Sequence, residues 1–152
     1  MTKVYTGSID LADRNSSWTK IVTLIGESKR VLEVGCASGY MSAFLTHSRA
    51  CKVTGVEVDP DAARSAAPHC HRLIIGDVET GVLETLADRF DVIVFADVLE
   101  HLKDPTRVLR ASRYLLTEAG YVVISLPNVA HWEVRRQVLF GRFEYTRSGI
   151  LD

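Results

Sequence analysis

Short apolar runs alternate with longer stretches of helical spacing along most of the chain, the pattern of a parallel sheet with helices on both faces. Hydrophobic spacing predicts a first helix over Ser16 to Ile25 and a strand over Arg30 to Val34. Met41, Phe44 and Leu45 then recur at i, i+3 and i+4 and mark a second helix. A strand over Lys52 to Glu57 ends in Asp59-Pro60, a capping residue followed by proline at the first helical position, and that helix should stop before Pro68. Further strands are expected over Arg72 to Ile75, Phe90 to Phe95 and Tyr121 to Leu126. Helices should fall around Leu83 to Asp88 and after Asp104-Pro105, the latter with Val108, Leu109, Leu115 and Leu116 on its buried face. No repeat, low-complexity stretch or linker divides the chain, which reads as one α/β domain over residues 1–152.

The stretch Val31-Leu32-Glu33-Val34-Gly35-Cys36-Ala37-Ser38-Gly39-Tyr40 joins a buried strand to a glycine turn and a helix, the arrangement of a cofactor site. A dinucleotide fingerprint would place glycines at Gly35, Ala37 and Tyr40. The Ala37 methyl and the Tyr40 ring crowd a pyrophosphate there, and the Glu33 carboxylate repels it, so NAD is disfavoured. A phosphate-binding P-loop fails for lack of Gly-Lys-Ser/Thr at the required spacing. A carboxylate beside a glycine turn suits a cationic ligand such as S-adenosylmethionine, which carries an ammonium and a sulfonium.

Residues 30–126 resemble the core of the class I S-adenosylmethionine-dependent methyltransferases, and VLEVGCASGY is similar to their first motif, E/D-x-G-x-G-x-G, with Ala37 in place of the middle glycine. The resemblance implies a Rossmann-like, doubly wound, mostly parallel sheet of order 3-2-1-4-5. Ligands of such sheets lie outside the carboxyl ends of the strands, where the order reverses. That rule brings the Gly35 turn against the loop beginning at Asp97. Glu57 ends a strand twenty-two residues after Gly35, near the offset of ~20 at which an acidic side chain meets a ribose. Asp77, in IIGDVE, resembles the family residue that accepts from the adenine amine, with Val78 contributing its backbone amide. The cofactor contacts expected on this basis are Glu33, Gly35, Cys36, Ala37, Gly39, Glu57, Val58, Asp77, Val78, Asp97 and Val98.

Asp97-Val98-Leu99-Glu100-His101-Leu102 is similar to the family segment lying between cofactor and acceptor, and His101 is the candidate base. An imidazole, titrating near pH ~6.5, suits removal of a hydroxyl proton during methyl transfer. Asp97, Glu100, His101 and His131 also resemble the E-x-x-E-H metal site of small-RNA 2′-O-methyltransferases, although Asp97 stands where that pattern has Glu. Ser125 to Trp132 bring polar and aromatic groups to the far end of the crevice. Arg135, Arg136, Arg142 and Arg147 either meet an anionic substrate or form a solvated face over Val134, Val138 and Leu139.

Composition narrows the partners. A net charge of −1 on 152 residues gives no support to nucleic acid, and no apolar run approaches a membrane span or a signal core. Three cysteines without a C-x-x-C spacing fit reduced thiols and a cytoplasmic protein, and His69-Cys70-His71 cannot converge on one ion from an extended segment. Family resemblance implies methylation of a small-molecule acceptor, a sugar or metabolite hydroxyl. A cofactor-binding module without catalysis is the rival reading. In the family resembled, two antiparallel strands follow the fifth. No strand-like run follows Leu126, so the chain reads as a truncated piece whose last strand is an open edge, covered by residues 128–152, or paired with a second copy through residues 121–126. The partial acceptor region is then 127–152, and such a piece could bind cofactor without turnover.

Overall fold

A computed structural model describes residues 9–128 together with 135–136 and 139–140. His131, Trp132, Val134, Val138, Arg142 and Arg147 lie outside the described residues.

The sequence pattern resolves into α1 (Ser17–Ile25), β1 (Arg30–Val34), α2 (Tyr40–Arg49), β2 (Lys52–Glu57), α3 (Pro60–Ala66), β3 (Arg72–Ile75), β4 (Phe90–Ala96), α4 (Pro105–Arg113) and β5 (Leu116–Ser125). All four strand pairings are parallel and the order is β3-β2-β1-β4-β5. Successive strands step outward from β1 on one side, then cross over to β4. The reversal therefore lies between β1 and β4, whose residues pair Val31 to Val92 through Val34 to Phe95.

Alternation along the strands fills two core layers. Val31, Val53, Val92 and Val94 meet Ile21, Val22 and Ile25 of α1 and Met41 and Leu45 of α2 on one face. On the other, Leu32, Val34, Val56, Ile93 and Phe95 meet Val108 of α4 and the short-turn leucines Leu83, Leu86 and Leu99. Each such side chain, fully removed from water, contributes about 1.5–3 kcal/mol before entropy is counted. Asp59 and Asp104 cap their helices as the Asp-Pro pairs predict: Asp59 Oδ1 accepts from Asp61 N at 2.7 Å and Ala62 N at 3.1 Å, and Asp104 Oδ1 from Arg107 N at 3.0 Å.

Two expectations are corrected. No α-helix covers Leu83 to Asp88, where two 3-10 turns, Val78–Thr80 and Leu83–Thr85, flank Gly81 at φ +90°. The left-handed glycine ends the first turn, and too few residues remain before β4 to nucleate an α-helix. Leu115 and Leu116 do not extend α4, because β5 begins at Leu116, pairs it with Phe90, and resumes register at Tyr121 with Val92 after an irregularity. Among the described residues β5 is an edge strand, with Ile124 and Leu126 exposed and the Tyr121 hydroxyl donating to Leu24 O of α1 at 2.7 Å.

Candidate functional site

Two cavities open at the carboxyl ends of the strands and share Gly35, Asp97, Val98 and His101. The first, ≈ 330 Å³, runs from the ends of β1 and β2 to the turn after β3 and takes in Glu57, Val58, Asp77 and Val78. The second, ≈ 250 Å³, lies against the glycine turn, Glu33 and the start of α2, closed on its far side by Trp18 of α1. Trp18 and Tyr40 meet edge to face there, with centroids 5.4 Å apart and planes at 89°.

Backbone geometry explains why these residues shape the crevice. Gly35 has φ +70°, and a Cβ on it would lie 2.6 Å from Val98 Cγ2. Only a residue without a side chain lets the first turn approach the loop after β4. Gly39 has φ +79°, and its Cβ would lie 2.6 Å from the Cα of Ala66, so α2 starts directly against α3. Ala37 and Asp97 adopt φ +47° and +53° despite their side chains, and both line the crevice. Such strained conformations concentrate at functional sites. Asp97 is held by Ser125, whose hydroxyl donates to Asp97 Oδ1 at 2.7 Å.

Carboxylates organise the rest. Glu57 is buried and accepts two backbone N–H groups, Ala37 N on Oε2 at 2.8 Å and Asp59 N on Oε1 at 2.9 Å. Glu33 faces α2, where the Ser42 hydroxyl meets its Oε2 at 2.5 Å. Burial pushes the Glu33 carboxyl up to about 8, the Ser42 hydrogen bond opposing the rise and the charges of Cys70 and Glu57 adding to it. Asp77 Oδ1 accepts from Glu79 N at 2.8 Å and caps the turn after β3. Glu79 in turn accepts from Lys103 N and Asp104 N, both at 2.9 Å, tying that turn to the loop carrying His101.

Of the residues singled out in the sequence, Glu33, Gly35, Cys36, Ala37, Glu57, Val58, Asp77, Val78, Asp97, Val98 and His101 all border one cavity or both, and His101 is exposed at the shared rim. Gly39 sits one position behind them as the N-cap of α2. Sequence reasoning did not single out Trp18, Ser42 or Glu79. Trp18 belongs to the apolar stripe of α1 and signals only a helix face, while the other two act through partners distant along the chain. Among the described residues no three His, Cys, Asp or Glu side chains are grouped to hold a metal ion.

A family model described as a methyltransferase domain matches residues 11–149. The ubiquinone biosynthesis O-methyltransferase of Pseudomonas entomophila is 35% identical over 114 residues, covering 70% of this chain and 47% of that protein. Its counterpart from Idiomarina loihiensis is 34% identical over 113 residues, covering 68% and 45%. The chain thus spans about half the length of the curated relatives it matches. In fold it is similar to a TehB-like SAM-dependent methyltransferase from Corynebacterium glutamicum, with TM-score 0.62, 23% identity, and coverage of 84% of this chain and 76% of that one. A possible histamine N-methyltransferase from Thermotoga maritima superposes with TM-score 0.62 at 21% identity, over 81% and 56%.

Proposed function

The chain belongs to the class I S-adenosylmethionine-dependent methyltransferases, and from that premise we propose that it directs the cofactor's methyl group to a hydroxyl oxygen of a small-molecule acceptor. The observation that carries the reading is the two-part crevice at the β1–β4 reversal, acidic on both sides of a left-handed turn. Its chemistry fits the cofactor: one lobe carries Val58, Val78 and Leu102 as apolar walls beside the carboxylates of Glu57, Asp77, Glu79 and Asp97, and the other carries the buried Glu33 carboxyl beside the turn. S-adenosylmethionine supplies a methyl group activated by its sulfonium charge.

The chain's own residues bind and align. Glu57 accepts the ribose hydroxyls while keeping its grip on the Ala37 N–H, and Asp77 accepts the adenine amine with the Val78 amide beside it. Glu33 balances positive charge in the second lobe. His101, on the shared rim, takes the acceptor's hydroxyl proton on a ring nitrogen as the oxygen attacks, a contribution of about 10²–10⁴-fold. Positioning of the acceptor hydroxyl by the crevice walls against the site where the cofactor would be held would supply the larger share. The oxygen acceptor is supported by the name of the related O-methyltransferases, and nothing favours a sugar over other hydroxyls.

Calorimetric titration with S-adenosylmethionine, and separately with NAD, tests the first step. Binding of the former alone is expected, and binding of NAD alone overturns the reading. Methyl transfer from radiolabelled cofactor to a panel of phenolic and aliphatic alcohols tests the second. Turnover lost in His101→Ala with cofactor affinity unchanged supports the base, and full turnover in that variant removes it. Cofactor binding with no transfer to any member favours a binding module.

A further inference from the structure

Gly55, in the middle of β2, faces α2 on the same side of the sheet as Glu33, its partner in register. A Cβ there would lie 2.8 Å from the sulfur of Cys36 and 3.0 Å from that of Cys70. The space above this central-strand glycine is therefore filled by two thiols brought in from different segments, one directly after Gly35 and one ahead of β3. Both sulfurs thus lie within 3.0 Å of one point above the strand, and Cys70 Sγ lies 3.4 Å from Ser42 Oγ. Neither belongs to a disulfide. Cys36 is buried at 3% exposure and lines the second cavity, whereas Cys70 is partly exposed.

We propose that Cys36 and Cys70 form a redox-active dithiol that closes to a disulfide under peroxide and disables the cofactor turn. The Cys70 thiolate attacks one oxygen of hydrogen peroxide, the O–O bond breaks, and hydroxide leaves, giving a sulfenic acid. Cys36 sulfur then attacks the Cys70 sulfur, the S–O bond breaks, and water leaves with the Cys36 proton. Two thiols are oxidised and one peroxide is reduced to two waters. A small-molecule dithiol reverses the reaction.

The division of roles follows from the surroundings. Contact with Cys36 and a hydrogen bond from the Gly55 backbone outweigh burial and lower the Cys70 thiol to about 7, whereas the contact with Cys70 and burial push the Cys36 thiol far up. The partly exposed Cys70 is thus the nucleophile that peroxide reaches, and the buried Cys36 resolves. Closing the bond draws Cys36 toward Cys70 and displaces its neighbour Ala37, whose N–H Glu57 holds. Cys51, the third cysteine, is buried against Gly26 O and Arg49 O and provides an internal control.

The consequence for the cofactor rests on the function proposed above, but the chemistry does not, and one experiment separates them. The intact chain is treated with stoichiometric hydrogen peroxide and analysed by mass, by thiol titration and by non-reducing peptide mapping. It should lose two hydrogens, fall from three free thiols to one in wild type and from two to none in Cys51→Ser, and yield a Cys36–Cys70 peptide pair in both. Cys36→Ser should stop at a sulfenic acid trapped by dimedone. S-adenosylmethionine affinity, measured on reduced and oxidised protein, should fall about tenfold or more on oxidation, equivalent to ~1.4 kcal/mol, and return with dithiothreitol. Retention of all three thiols, or a bond through Cys51, overturns the dithiol. Disulfide formation with unchanged affinity overturns its control of the turn. Absence of cofactor binding in the reduced protein counts against the methyltransferase reading and leaves the mass result to judge the dithiol.

Discussion

Glu57 Oε2 accepts the Ala37 N–H at 2.8 Å, so the carboxylate that closes β2 also holds the turn that follows β1. The other oxygen accepts from Asp59 N at 2.9 Å, immediately before α3. One buried side chain thereby joins the turn, the strand and the next helix start.

Glu57→Ala should therefore act twice. Hydrogen bonds to a charged group contribute about 1.5–3 kcal/mol each, so cofactor affinity and folding stability should both fall by that order. Titration calorimetry and urea denaturation of the same variant measure the two. A fall in affinity with no change in denaturation midpoint would restrict Glu57 to ligand contact, and a fall in stability alone would restrict it to the clamp.

Much of this was legible before the structure. The offset from Gly35 singled out Glu57, but as a ribose acceptor only, because a bond from its carboxylate to Ala37 requires β1 and β2 to lie side by side in register. Strand positions followed from short apolar runs, and the Asp-Pro pairs marked α3 and α4. The segment around Leu83 and Leu86 failed because their i, i+3 spacing is shared by α-helix and 3-10 turn, and Gly81 decides for the turn. Leu115 and Leu116 failed because an apolar pair at the end of one element and the start of another carries no period. Ser42 was invisible as a site residue, since its role depends on α2 crossing over Glu33.

Ala37→Gly should stabilise the protein. At φ +47° the alanine bears the left-handed penalty of about 1–2 kcal/mol, against which glycine's extra unfolded-state freedom costs ~0.5–1 kcal/mol. A net gain of up to about 1.5 kcal/mol is expected from denaturant titration. A lower midpoint would show that Glu57 relieves the turn of its strain.

Gly39→Ala and Gly26→Ala separate two costs. Both glycines have φ near +80°, yet a Cβ at Gly26 meets nothing within 4 Å while one at Gly39 meets the Ala66 backbone at 2.6 Å. Gly26→Ala should cost about 1–3 kcal/mol from backbone strain alone, because ψ −148° places it in a region that glycine alone occupies readily. Gly39→Ala should cost the left-handed penalty and a further ~1–3 kcal/mol for forcing α2 away from α3. A Gly39→Ala variant that loses no more than the left-handed penalty of about 1–2 kcal/mol in denaturant titration would contradict the close packing at Gly39.

Glu33→Gln tests the buried carboxyl that borders the second cavity. Burial raises the folded-state value to about 8, while the same group in an unfolded chain titrates near its ordinary value of 4.5. Between those limits the folded protein holds a proton that the unfolded chain has released. Stability is then full below about pH 4.5 and declines as pH rises toward about 8, with a slope of up to ~1.4 kcal/mol per pH unit. Glutamine is neutral throughout and can still hydrogen-bond Ser42, so it removes this slope. The variant should match wild type near pH 4.5 and exceed it above pH 7 in denaturant titrations taken across the range. Binding of a cation reverses the preference, because it favours the ionised carboxyl. Wild-type affinity for S-adenosylmethionine should rise as pH approaches 8, and Glu33→Gln should flatten that rise while weakening binding at the alkaline end. Parallel pH profiles for the two proteins, in stability and in affinity alike, would show that Glu33 is ionised in the empty site and that Ser42 suffices to keep it so.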